Sequence, residues 1–154
     1  MNNATRPRAI VAAARGNAPR EFGPYRTRSF WSIAQLYTGN PDLHYEVWRR
    51  ARLGTIELGL HFEADPLTNA RLLAAFKARA KEIRKALGDV AIEGWDKGWA
   101  RVYESLPLDT SAEHCATRLA DYVRVLEPIL RQELPDDVPW KPARRAARAR
   151  ARRR

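Results

Sequence analysis

The sequence predicts an α+β fold: a two-layer sandwich in which a four-stranded, mostly antiparallel sheet carries two main helices on one face, in the order ββαββα, preceded by a short helix. Three observations lead there. Apolar residues alternate with period two in two paired stretches, they recur at helical spacing in two longer ones, and Gly, Pro, Asn and Asp separate these stretches. A chain of 154 residues with 45% hydrophobic content can bury a core as one domain without disulfides or metal.

Residues 1 to 28 hold Pro7, Gly16, Pro19, Gly23 and Pro24 with little periodic apolar content, which predicts a disordered basic segment. Phe30, Ile33, Leu36 and Tyr37 then fall at helical spacing for about two turns, closed by Gly39-Asn40-Pro41, so a short leading helix is expected. The period changes to two at Leu43, Tyr45 and Val47, which alternate with His44, Glu46 and Trp48. After a turn over 51–54, Ile56, Leu58, Leu60 and Phe62 alternate with Glu57, Gly59, His61 and Glu63. This is a hairpin with one buried and one wet face.

Asp65 supplies an N-cap and Pro66 a first helical residue whose missing N–H costs nothing. A helix follows with the stripe Leu72, Leu73, Phe76, Ala80, Ile83 and Leu87, ended by Gly88 at C′. From Asp89 to Leu106, turn signals at Gly94 and Gly98 divide strand-like residues into a second hairpin. Thr110 to Glu113 reads as a capping box opening a last helix, with Cys115, Leu119, Tyr122, Val123, Leu126 and Leu130 inside and an end before Pro135; Pro128 is expected to kink or shorten its last turn. The domain is thus placed at residues 29–135, with a disordered Arg/Ala-rich tail at 136–154.

The net charge of +10 is distributed unevenly. Residues 1–28 carry six Arg and one Glu, residues 141–154 one Lys and seven Arg, and the remainder fourteen basic against seventeen acidic residues. The folding part is therefore expected to be mildly acidic, at −3, with the basic character in the ends. A single cysteine and the lack of a long apolar run point to a cytoplasmic protein with no membrane association.

Residues across the middle of the chain resemble a family. Ile56-Glu57-Leu58, Asn69, Phe76, Ile83, Leu87-Gly88, Trp95 and Arg101-Val102, within about residues 44–130, make it similar to a bacterial family of domains without assigned activity, found alone or behind restriction-endonuclease-like modules. Arg84 stands where that family carries an acidic residue. The resemblance implies the fold class and a setting near DNA-processing or defence systems; it implies no active site.

No residue is assigned a catalytic role, no metal ligand is assigned and no cofactor is expected. The Asp…Glu-x-Lys pattern of a magnesium nuclease is missing, and the eight glycines are scattered rather than gathered before a helix as a phosphate loop requires. Two surfaces remain as candidates. His44, Glu46 and Trp48 on one strand face Glu57, His61 and Glu63 on the next, and imidazoles beside carboxylates can hold zinc or share a proton. Trp95, Trp99, Arg101 and Tyr103 join aromatic area to positive charge, chemistry on which unpaired bases stack. In the tail, Lys141, Arg144, Arg145, Arg148, Arg150, Arg152, Arg153 and Arg154 would bind nucleic acid without sequence preference and with steep salt dependence. The expectation is a non-enzymatic binding or accessory module held near nucleic acid by this tail. The alternatives are a small-ligand or metal-binding protein using the His/Glu face, and a structural protein that binds a protein partner or forms a homo-oligomer through Trp48 or Trp99.

Overall fold

The computed structural model describes residues 7–138. Its sheet has six antiparallel strands, not four. They are β1 (Arg26–Phe30), β2 (Ile33–Tyr37), β3 (Leu43–Arg50), β4 (Thr55–Phe62), β5 (Ala91–Trp95) and β6 (Trp99–Pro107), in the spatial order β1-β2-β3-β4-β6-β5. The helices are α1 (Pro7–Asn17), α2 (Pro66–Ala78), α3 (Ala80–Leu87) and α4 (Ala112–Glu133), and α1 packs along α4.

Both expected hairpins form. β3 and β4 pair with Leu43 opposite Phe62, His44 opposite His61 and Trp48 opposite Glu57. β5 and β6 join through a turn in which Lys97 and Gly98 adopt positive φ, 61° and 74°. Long-range pairing of β4 with β6 then joins the two hairpins into one sheet.

Of the two additional strands, β1 comes mostly from the segment expected to be disordered and β2 from the stretch expected to be a helix. Phe30 ends β1, Trp31 and Ser32 turn, and Ile33 to Tyr37 form β2 against β3. Leu36 satisfied both periods, but only alternation puts Ala34 and Leu36, 1% and 0% exposed, into the core with Gln35 on the other face. Tertiary pairing overrides a two-turn helical pattern, since so short a helix carries little stability of its own.

The segment expected to be disordered contains α1. Ile10, Val11 and Ala14 make a narrow stripe, all buried, and Ala12 and Ala13 add helix propensity. Arg131 reaches over from α4 to the Phe22 carbonyl. Residues 7–28 thus belong to the folded body, and its charge differs from the expected −3: the described residues 7–138 hold nineteen basic and eighteen acidic residues and are close to neutral. The tail beyond residue 138, including Lys141 to Arg154, lies outside the described residues.

Local signals set most helix boundaries. Asp65 caps α2, accepting from the Thr68 N–H at 3.1 Å, with Pro66 first in the helix. The one long helix expected here is two, because Arg79 (φ −104°, ψ 15°) leaves helical geometry between α2 and α3. Gly88 ends α3 at φ 87°. Ser111, rather than Thr110, caps α4 by accepting from the His114 N–H, and Pro128 sits inside α4 without ending it. Among the described residues no helix is long and apolar enough to cross a membrane.

The helices cover one sheet face. Tyr45 on β3 donates to Glu127 of α4 at 3.0 Å, and the Phe62 ring of β4 meets Phe76 of α2 edge-on at 4.9 Å. Leu58, Leu60 and Val102 lie between, fully buried. The opposite face carries Arg28, Gln35, His44, Glu46, Glu57, His61, Arg101 and Tyr103, and holds the candidate site.

Candidate metal centre

Alternation along β3 and β4 sends His44, Glu46 and His61 to the uncovered face, and Glu63, one residue past the end of β4, joins them there. Each strand thus contributes a His-x-Glu pair, and the antiparallel register sets His44 directly opposite His61 so that the two glutamates flank the histidines on opposite sides. The imidazoles stack, with centroids 5.7 Å apart and planes 14° from parallel. Ligand-type atoms of all four side chains lie within 4.8 Å of one another.

This face is not wet. His44 is 0% exposed, His61 2%, Glu46 4% and Glu57 3%. No helix does the covering; long side chains and a loop do. Pro41, in the loop between β2 and β3, sets its carbonyl 2.8 Å from His44 Nδ1. Arg28 donates to the same carbonyl and, through Nε, to Gln35 Oε1. Gln35 donates in turn to Glu46 Oε1 at 2.7 Å. Trp95 closes the other side, edge-on to His61 with centroids 6.0 Å apart. Beneath the site Gly59, opposite Glu46, lets β4 and β6 approach closely: a Cβ there would lie 2.3 Å from the Val102 carbonyl oxygen. Asn69 of α2 fixes the start of the loop after β4, accepting from Ala64 N–H and donating to the Ala64 and Gly98 carbonyls. The Glu63 backbone is held by its own N–H on the Asp42 carbonyl.

The closest His–Glu approaches are 3.4 Å (His44 Nε2 to Glu46), 3.6 Å (His44 Nε2 to Glu63), 3.5 Å (His61 Nε2 to Glu46) and 3.3 Å (His61 Nδ1 to Glu63), so the two carboxylates meet different nitrogens of the His61 ring. With one ligand atom from each residue the spread is up to 4.8 Å, wider than the edges of about 3.3–3.6 Å that zinc bonds of 2.0–2.2 Å give a tetrahedron, so binding would draw the four side chains inward. The Pro41 carbonyl lies where it can accept from His44 Nδ1–H, the outer support usual for a metal-bound histidine, while His44 Nε2 faces the carboxylates and also lies 3.0 Å from Gln35 Nε2. His61 Nδ1 is buried without a well-directed hydrogen bond, an unmet demand in a dry site.

Electrostatics follow from the same geometry. Burial alone would make His44 harder to protonate, but the Glu63 and Glu46 carboxylates outweigh it and push its pKa up to about 9. Burial likewise opposes ionisation of Glu63 and Glu46, and the two histidines overcome it, holding both carboxyls below their ordinary range. The quartet thus favours anionic carboxylates beside a positive centre, a role open to protons or to a metal ion.

The remaining expected site residues form an adjoining network. Glu57 accepts from Arg101 and, at 3.2 Å, from Arg50. The Arg101 guanidinium lies on the Trp95 and Tyr103 rings, 4.4 and 3.8 Å from their centroids, and Tyr103 donates to Glu93 at 2.8 Å. Arg101 thus covers one face of each of two rings, Trp95 and Tyr103, on the surface expected to stack bases. Lys97 lies 5.2 Å over Trp99, and Trp48 meets Arg50 and Trp95.

The sequence places His44, Glu46, His61 and Glu63 on one face but assigns none of them as a metal ligand, whereas the hairpin brings ligand-type atoms of all four within 4.8 Å of one another. The His-x-Glu pair occurring twice on facing strands was the available signal. Arg28, Gln35 and Pro41 were missed because β1 and β2 were read as a disordered segment and a helix; Gln35 between Ala34 and Leu36 was the trace of alternation. No family model, curated protein or solved structure matches this chain.

Proposed function

We propose that this chain is a metal-binding α+β protein, in which His44, Glu46, His61 and Glu63 hold one divalent transition-metal ion of zinc type across β3 and β4. The observation that carries the reading is the pair of facing His-x-Glu units, which offer one ligand atom each from two imidazoles and two carboxylates, all within 4.8 Å of one another. Two imidazoles and two carboxylates suit zinc, manganese, iron, cobalt or nickel, and the absence of thiolate from the set disfavours Cu(I). Since the four side chains are at most 5% exposed, the ion serves chiefly to tie the two central strands together beneath the Arg28–Gln35 cover.

The test is metal analysis of the full-length protein purified without chelator, followed by zinc titration of the stripped protein. About one equivalent is expected, lost in His61→Ala and in Glu63→Gln. Binding of equal stoichiometry by both variants, or none by the wild type, overturns the reading and leaves the quartet as a proton-sharing network.

Tethering to nucleic acid through Lys141 to Arg154 remains a separate proposal. Fluorescence anisotropy of the full chain and of a chain ending at residue 135, on DNA and RNA at two salt concentrations, tests it: equal binding by both sinks the tail's role.

A further inference from the structure

A hollow of about 460 Å³ lies at the amino end of α1, between that helix and the β1–β2 turn, and shares no residue with the metal quartet. Its walls combine Arg8 and Arg49 with the hydroxyl-bearing Ser29 and Ser32, and with the rings of Phe30 and Trp31. Arg8 lies in the first described turn of α1, which holds no acidic residue. Arg49, from β3, adds a second cation under the same end, and its Nε is buried with no hydrogen-bond partner.

Two arginines thus face a hollow whose described lining holds no acidic residue. An anion from solution would pair with them.

The turn beside it is equally unbalanced. Trp31 is fully exposed, at 102%, and Phe30 is 37% exposed. Trp31 also takes φ 56°, a left-handed conformation costly for a bulky side chain. A large ring held in water at that cost gains from a flat partner, and aromatic rings stack on bases of every kind.

We propose that this hollow binds a nucleotide, with the phosphate on Arg8 and Arg49 and the base on Trp31. The nucleotide comes either free or as an unpaired residue of a nucleic-acid strand. This site stands whether or not the quartet binds metal.

Calorimetric titration of the full chain with adenosine 5′-monophosphate, adenosine and inorganic phosphate tests it, using wild type, Arg49→Gln and Trp31→Ala. The monophosphate is expected to bind saturably and more tightly than either fragment. Arg49→Gln should weaken it about tenfold or more, the loss of a charge-assisted contact. Trp31→Ala, at an exposed position that leaves folding alone, should weaken it about fivefold or more while leaving inorganic phosphate unchanged. A monophosphate that binds no better than phosphate overturns the proposal, as does equal binding by wild type and Trp31→Ala. A labelled oligothymidylate identifies the source: displacement of the monophosphate by the strand points to nucleic acid, and failure to displace it points to a free nucleotide. Strand binding indifferent to both substitutions belongs to the basic tail and overturns the strand form.

Discussion

At their centres the two faces of the sheet are equally dry, yet different physics keeps water out of each. Leu58, Leu60 and Phe62 are buried under α2 and α4, and their burial is favourable in itself, by roughly 1.5–3 kcal/mol per side chain. One residue away on the same strands, His44 and His61 are as deeply buried with no helix above them. There the cover is Arg28, Gln35 and the Pro41 loop, and burial of charged groups is unfavourable unless each finds a partner. The apolar face holds the fold regardless of solution conditions, whereas the polar face depends on what neutralises it.

The largest effect expected from breaking this contrast is on the apolar side. Phe76→Ala removes the ring packed on Phe62 and should cost about 3–5 kcal/mol in urea unfolding. The loss should be the same with and without chelator, since the site does not enter it.

On the polar side the effect should be conditional. A metal ion at a thousandfold excess over its dissociation constant adds about 4 kcal/mol. Thermal unfolding of the wild type should therefore fall by several degrees on adding chelator, and that of Glu63→Gln should not respond. A chelator response retained in the variant would move the ion elsewhere. Gln35→Leu, which removes the support of Glu46 while sparing all four ligands, should weaken zinc binding about 10–100-fold in competition titrations.

The smallest effect returns to the dry core. Burial, helped by Glu104, pushes the Cys115 thiol up to about 11 from an ordinary 9. A raised thiol pKa stabilises the fold fully below pH 9, and that contribution is lost as pH climbs through 11. Stability should therefore decline by about 1.4 kcal/mol per pH unit within that window, and a Cys115→Ala variant should lack this slope. Thiol reagents at pH 8 should label Cys115 only in denaturant.

How much of this could be read in advance depended on how far each residue's signal travels along the chain. The hairpins over 43–62 and 91–107 repeat their period long enough to identify themselves, and Asp65-Pro66 and Gly88 act within one turn, so these were legible. The candidate face was legible as well, because period two alone puts His44, Glu46, His61 and Glu63 on one side. α1 and β2 were not. Ile10, Val11 and Ala14 are too few to mark a helix until α4 lies against them, and Ile33 to Tyr37 fit two periods until β3 supplies a ladder.

The sequence alone determined that this is an α+β chain with two hairpins followed by helices, since local spacing and capping act between near neighbours. Only the tertiary structure decided that the sheet has six strands, that His44 stands opposite His61, and that the polar face is closed to water. Register and burial arise between segments distant along the chain, where no single segment carries the information.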